Sequence, residues 1–199
     1  KVPFISAKKY LFNDFAIATQ IPYDEGEDIA CHTIATGQTA GWTWDIGLSS
    51  RKGMGYVYSS DHTTHEDAIK TFAEHIGPKA EGLDFRKIPF NSGYREKFWH
   101  KNCVAVGMSA GFIEPLAASA LVLVELSAAM IAEQLPANRQ VMDLVAKRFN
   151  TKFLYRWDRI IDFLKLHYIH SQRQDSDYWK DNIAASSIPE SLSELIDLW

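Results

Sequence analysis

The residue pattern predicts an α+β chain, with an antiparallel sheet in its first half and long helices in its second. Three observations carry this. Trp42, Trp44, Ile46 and Leu48 alternate with Thr43, Asp45 and Gly47, a period of two that gives a strand one apolar face. Val141, Leu144, Val145, Phe149, Phe153, Trp157, Ile160, Ile161, Leu164 and Tyr168 recur at helical spacing over about 28 residues, so one long helix or two nearly collinear ones are expected. Between them, Asn102-Cys103-Val104-Ala105-Val106 breaks into Gly107-Met108-Ser109-Ala110-Gly111-Phe112-Ile113-Glu114-Pro115-Leu116, a strand leaving a sheet through small residues.

Taken in order, Phe15–Ile21 reads as a strand ended by Pro22 and the acidic turn Asp24-Glu25-Gly26-Glu27-Asp28, and Ile29–Thr36 reads as a second. The tryptophan segment follows, and Ser49–Gly53 connects it to a return strand through Tyr56, Val57 and Tyr58. Thr63-Thr64-His65-Glu66 predicts a capping box centred on Thr63. The helix it starts buries Ile69, Phe72, Ala73 and Ile76 and stops at Gly77-Pro78. Short strands are expected at Phe85–Phe90 and Phe98–Val106. A helix should open at Glu114, with Pro115 in its first turn where a missing N–H costs nothing, and run to Gln134. Asn138 can cap the long helix; Asp177–Ala185 and a segment with Pro189 in its first turn complete the set. This divides the chain into a β-rich region, 1–113, and a helical region, 114–199.

Composition narrows the class. The 199 residues suit one substantial domain, or a domain with a helical appendage. Twenty-one basic and 25 acidic side chains leave a net charge of −4 with no clustered basic face, which argues against nucleic acid. Cys31 and Cys103 have no metal-like spacing and read as reduced, buried thiols. The longest apolar run, Leu116–Val124, is too short to span a bilayer, and no secretory signal opens the chain. A soluble, cytoplasmic protein is expected. The chain opens Lys1-Val2-Pro3, and its last apolar stripe, Leu192, Leu195, Ile196 and Trp199, runs to the final residue without a stop signal. That pattern predicts a cut or incomplete chain.

The small-residue segment invites a ligand. Bare backbone at Gly107, Ser109, Ala110 and Gly111 lets amides approach a flat or anionic group, and a following helix aims its positive end the same way. The same residues serve equally as a tight packing turn. Trp42 and Trp44 by themselves suit ordinary core burial. His167 and His170 are spaced for a metal pair, but no Cys or acidic ligand completes it, so packed or solvated histidines are expected; His62 and His65 read the same way. Neither Ser109 with His100 nor Ser119 with Glu114 makes a nucleophile motif.

Two of these stretches resemble the flavin-dependent tryptophan halogenases. Gly107–Leu116 is similar to the run Gly-x-Ser/Ala-Ala/Ser-Gly-Phe-x-Glu-Pro-Leu that closes over the flavin in the glutathione-reductase-like flavoproteins, and Ala118–Glu125 continues it. Gly41–Ile46 resembles the Trp-x-Trp-x-Ile-Pro motif that keeps organic substrate away from the flavin. Tyr10–Asp14 and the helical stretch from His167 to Trp179 extend the likeness more loosely. The resemblance implies part of a glutathione-reductase-like FAD-binding fold with a substrate-domain sheet. It also implies reduced FAD as cofactor, chloride or bromide bound by the amides of Ser119 and Ala120, and a flavin and substrate barrier at Trp42, Trp44 and Ile46. A small aromatic substrate and a flavin reductase would be the partners, and a homodimer is compatible with it.

Three departures qualify the match. The family's Gly-x-Gly-x-x-Gly and its catalytic lysine lie upstream and have no counterpart here; Gly53-Met54-Gly55 sits in a hairpin. The second Glu of Glu-Pro-Leu-Glu is Ala117, and a methyl group can neither orient a lysine nor act as a base. Gly47 stands for the motif proline. The expected activity is arene halogenation by the intact enzyme. The alternatives are a related monooxygenase or altered halogenase, and a non-catalytic interaction domain on the same scaffold.

Overall fold

The computed structural model describes every residue except Lys1 and Trp199. In chain order the elements are β1 (Phe4–Ser6), β2 (Phe15–Pro22), β3 (Ile34–Gln38), β4 (Gly41–Gly47), β5 (Arg51–Tyr58), α1 (His65–Ile76), β6 (Arg86–Pro89), β7 (Gly93–Arg95), β8 (Trp99–His100), β9 (Cys103–Val104), β10 (Gly111–Phe112), α2 (Ser119–Glu133), α3 (Arg139–Ile169), α4 (Asp177–Ile183) and α5 (Glu190–Leu198). Every pairing is antiparallel. The chain forms two compact units. One takes residues 12–90 and 171–186, and the other takes the residues up to Leu11, residues 91–170 and those from Ser187 onward.

The first of these is a five-stranded sheet, ordered β3-β4-β5-β2-β6. Ile17 and Ile21 of β2 and Met54, Tyr56 and Tyr58 of β5 share one face and bury Ala68 and Phe72 of α1. The apolar face expected on β4 is turned the other way: Thr43, paired with Tyr56, is the residue on the α1 side, where its Oγ lies 3.2 Å from His75 Nε2. β3 begins at Ile34, later than expected, because residues 29–33 find no ladder partner; Ile34 opposite Asp45 is the first rung. The α1 cap is one residue later as well. Thr64 Oγ accepts the Asp67 amide at 3.1 Å and donates to the Asp67 carboxylate at 2.8 Å. Thr63 is held by its own amide to the Ser59 carbonyl. The helix ends at Gly77 as expected, and Gly77 has a positive φ, 78°.

In the other unit β7 is flanked by β1 and β10, and α3 is a single 31-residue helix capped by Asn138, whose side chain accepts the Gln140 and Val141 amides. Phe149, Phe153, Trp157, Ile161, Leu164 and Tyr168 are buried as the stripe predicts, but Val141 and Leu144 at its start are exposed. Three expectations are overturned. The expected Phe98–Val106 strand is not continuous: Trp99 and His100 pair back on Cys103 and Val104, and Val104, Ala105 and Val106 are half-buried. Both cysteines are free and exposed rather than buried. α2 starts at Ser119, not Glu114. Ala118 (φ −73°, ψ 44°) makes an inverse γ-turn in which the Ser119 amide donates to the Ala117 carbonyl at 2.7 Å, and this breaks the helical path after Pro115. Leu192 is the buried residue of α5, Leu195 is half-buried and Ile196 is exposed; Trp199 lies outside the described residues.

Candidate functional site

The segment Gly107–Ala120 is built from backbone constraints. Gly107 adopts φ 62°, a left-handed conformation that a side chain resists, although a Cβ there would meet only Val124 Cγ2 at 3.5 Å. Gly111 is bare for another reason: its Cβ would stand 2.5 Å from the Gly93 carbonyl oxygen, because β10 pairs with β7 at Gly93 and Tyr94. Ser109 spends its hydroxyl locally, accepting the Val106 amide at 3.1 Å and donating to the Val106 carbonyl at 2.8 Å. Ala110 is buried, and its carbonyl accepts the Arg95 amide at 2.7 Å. Each small residue therefore has a packing or conformational reason within the fold.

The loop separates two concavities. One, of about 330 Å³, is bounded by Gly107, Ala110 and Gly111, by Ala120 and Leu121 of α2, and by aromatic rings that include Phe149, Phe153 and Trp157 of α3. The other is an open groove of about 550 Å³ on the Phe4 side, where the Arg95 side chain donates to the carbonyls of Ser109 (3.4 Å) and Val2 (3.3 Å). Met108 and Ser109 form the exposed outer edge. That edge, with bare backbone on both flanks, fits one wall of a flat or anionic ligand.

The second half of the loop is anchored by a group that periodicity did not reveal. Glu114 is 1% exposed and accepts a 2.8 Å hydrogen bond from the Tyr168 hydroxyl. Lys165, one turn earlier on α3, is wholly buried; burial lowers its pKa to about 7, and the nearby Glu114 charge opposes that fall. Glu114 is thus an anchor for the segment and not a replacement for the acid absent at Ala117, which is half-buried. Lys165 lies between Leu164 and Tyr168 in the sequence, and a lysine within that apolar stripe was the one available signal. Of the two amides expected to hold halide, that of Ser119 is engaged by the turn to Ala117, while Ala120 lies in the first turn of α2 and on the cavity wall.

The tryptophans stand in the sheet unit. Cross-strand partners share a face, so Ala16, Val57, Trp42 and Gly37 form one rung and Ala18, Gly55, Trp44 and Ala35 the next. The two indoles are 6.2 Å apart at 59°, on a face shared with Val57 and, where β6 pairs with β2, with Ile88 opposite Ala16 and Arg86 opposite Ala18. Gly55 is required there: a Cβ would stand 2.1 Å from the Trp44 ring. Trp42 is buried, Trp44 half-buried and lining a groove of about 540 Å³ with Thr19, Arg51 and Arg86, and Ile46 is exposed.

The other polar constellations have structural partners. His62 Nδ1 lies 2.8 Å from Ser59 Oγ and Nε2 3.1 Å from Asp181, a Ser-His-Asp chain with the ring nitrogens reversed from a catalytic triad, and Ser59 is wholly buried. His65 Nδ1 lies 2.8 Å from the Tyr58 hydroxyl, and His167 Nδ1 donates to the Phe163 carbonyl. Among the described residues no group of three or more His, Cys, Asp or Glu could hold a metal ion, and no helix is long and apolar enough to cross a membrane.

Comparison with known proteins is consistent along the whole chain. The family model described as tryptophan halogenase matches residues 1–199. Tryptophan 6-halogenase SttH of Streptomyces toxytricini is 37% identical over 199 residues, all of this chain and 38% of that protein. Tryptophan 7-halogenase RebH of Lentzea aerocolonigenes is 32% identical over 99% of this chain and 37% of its own length. Among solved structures, a tryptophan halogenase from Shewanella frigidimarina superposes with a TM-score of 0.95 at 52% identity, over all of this chain and 38% of that one. The chain therefore spans little more than a third of the length of the relatives it matches. With its entire length matched by the family model and by relatives of this similarity, the chain belongs to the tryptophan halogenase family.

Proposed function

We propose that the polypeptide containing this chain is a flavin-dependent halogenase of an electron-rich arene, tryptophan or a related indole. The observation that carries this reading is the Gly107–Ala120 segment, held along an aromatic-lined cavity by the buried Glu114, in a chain of this family. Residues 1–113 would supply the flavin cover and substrate wall, and 114–199 the helical support. Gly107, Ser109, Ala110 and Gly111 would hold FAD through backbone approach; Ser119 and Ala120 would hold chloride or bromide; Trp42, Trp44 and Ile46 would keep the arene from the flavin. Reduced FAD, when bound, supplies the electron pair with which oxygen and halide make an electrophilic halogen. Overall, arene, halide, a proton, oxygen and reduced FAD give haloarene, oxidised FAD and two waters. Halide at Ser119 requires its amide to be shared with, or released from, the Ala117 carbonyl. A separate reductase delivering reduced flavin and a cytoplasmic location complete the proposal, and a homodimer is compatible with it.

Ala117 supports a second reading, a halogenase-like enzyme in which arene halogenation is impaired or replaced by oxygenation, because a half-buried methyl supplies neither base nor anion. The test is to incubate the full-length polypeptide with reduced FAD, oxygen, bromide and tryptophan or indole, and to analyse products by mass spectrometry. Brominated product, increased in Ala117→Glu, supports the halogenase. Bromide-independent oxygenated product supports the second reading. Failure to bind FAD at all defeats both and leaves a non-catalytic scaffold.

A further inference from the structure

Residues 171–186 belong to the sheet unit although more than 80 residues separate them from its last strand, and their side chains converge on one place. Three of them donate to three successive carbonyls at the β3–β4 turn: Arg173 Nη1 to Gly37 at 2.5 Å, Trp179 Nε1 to Gln38 at 2.9 Å, and Ser176 Oγ to Thr39 at 2.6 Å. Arg173 stacks over the Trp179 ring, 4.9 Å from its centroid, and its other guanidinium nitrogens pair with Asp175 at 2.9 and 2.7 Å. Two further bonds fasten the segment to the sheet unit: the buried Tyr178 hydroxyl donates to Asn13 at 3.1 Å, and Asp181 meets His62.

The place of attachment is the rung of Trp42. Gly37 is its cross-strand partner, and a Cβ at Gly37 would point to the same face. That space is already taken: the Cβ would lie 2.8 Å from Arg173 Nη1 and 3.1 Å from Trp179 Cζ2. An exposed glycine in an edge strand is thus left bare for an arginine and an indole that come from the far end of the chain.

We infer that residues 171–183 are a clasp that sets the β3–β4 hairpin and thereby the orientation of the Trp42 ring, with Arg173, Ser176 and Trp179 as positioning residues for halogenation. The inference rests on the barrier role proposed above for Trp42. β3 is otherwise an exposed edge strand with β4 as its single neighbour, so its carbonyls at 37–39 have no strand to fix them on the outer side. Donors on a packed segment replace that strand and limit the hairpin's freedom to twist. A barrier that keeps arene from the flavin's oxygen chemistry depends on ring position, and a displacement of about 1 Å at such a site can cost up to 100-fold.

The test compares Trp179→Phe, which keeps an aromatic ring and removes the donor, Ser176→Ala and Arg173→Lys in the full-length polypeptide, with Lys180→Ala, whose amine pairs at the surface with Asp177, as control. Two readouts are used: the ¹⁹F resonance of fluorotryptophan at position 42, assigned with Trp42→Phe, and halogenated product formed per reduced flavin consumed. The expected result is a shifted or broadened Trp42 resonance and a roughly tenfold lower yield per flavin, with the KM for halide unchanged and Lys180→Ala like the parent. Variants that melt earlier yet leave the Trp42 resonance and the yield unchanged would reduce the clasp to a stabilising contact and overturn the inference. If the parent does not halogenate, the functional proposal fails, while the resonance still decides whether the clasp sets the ring. Should Trp179→Phe not fold, Ser176→Ala and Arg173→Lys, each at a less buried residue, carry the test.

Discussion

Gly55 and Gly107 look alike in the sequence and obey different constraints. At Gly55 the Trp44 ring occupies the space of a Cβ, so Gly55→Ala must displace the ring; a loss of about 1–3 kcal/mol in denaturant unfolding, with an altered near-ultraviolet dichroism signal, is expected. At Gly107 the space is open and only the left-handed backbone resists, so Gly107→Ala should cost about 1–2 kcal/mol without disturbing the aromatic signal. Lys165 is the residue with a pH signature. Its folded pKa, about 7, lies below the 10.5 of a free lysine, so the unfolded state holds the proton over pH 7 to 10.5 and stability rises with pH across that window. Thermal unfolding of Lys165→Met should lack that rise, while Tyr168 and Glu114 remain in place. Composition shows that a lysine is present; only the packing of α3 against the Glu114 segment shows that it is buried.

At the level of elements, periodicity located the strands β2, β4 and β5 and the helices α1, α3, α4 and α5 within a few residues, because each carries its own apolar repeat or cap. It misplaced what depends on a partner. The β3 start is set by where pairing with β4 begins, Ile34 opposite Asp45, and the α2 start by a γ-turn that no propensity encodes. The cap of α1 shows how fine the choice is: Thr63 and Thr64 are both suitable, and the Ser59 carbonyl takes Thr63. Thr64→Ala should therefore cost about 1 kcal/mol by denaturant unfolding, and Thr63→Ala much less. The acidic turn after β2 is another element-scale device. Lys52 of β5 and Lys79 hold Glu27 at a pKa of about 2, below the ordinary 4.5, so its contribution is present above pH 4.5 and lost as pH falls toward 2. Glu27→Gln should flatten the acid limb of the stability curve over that range.

For the whole chain, an apolar surface remains in the unit that carries the loop: Met108, Leu121, Val122, Leu135 and Leu144 are each more than half exposed. A 199-residue polypeptide with these side chains exposed should bind an apolar fluorescent dye, and Leu121→Lys should reduce the signal without unfolding the chain. The sequence by itself determined the class of fold, the family and the two motif segments, because these reside in local repeats and in residue strings read along the chain. Only the tertiary structure decided which face of β4 meets α1, why each glycine of the loop is bare, that Glu114 is anchored by Tyr168 beside a buried lysine, and that residues 171–183 return to Gly37–Thr39. The physical reason is distance along the chain. A repeat of two or of 3.6 residues reports on an element's own faces, whereas a buried charge, a missing Cβ or an edge carbonyl is satisfied by a partner 54 or 136 residues away.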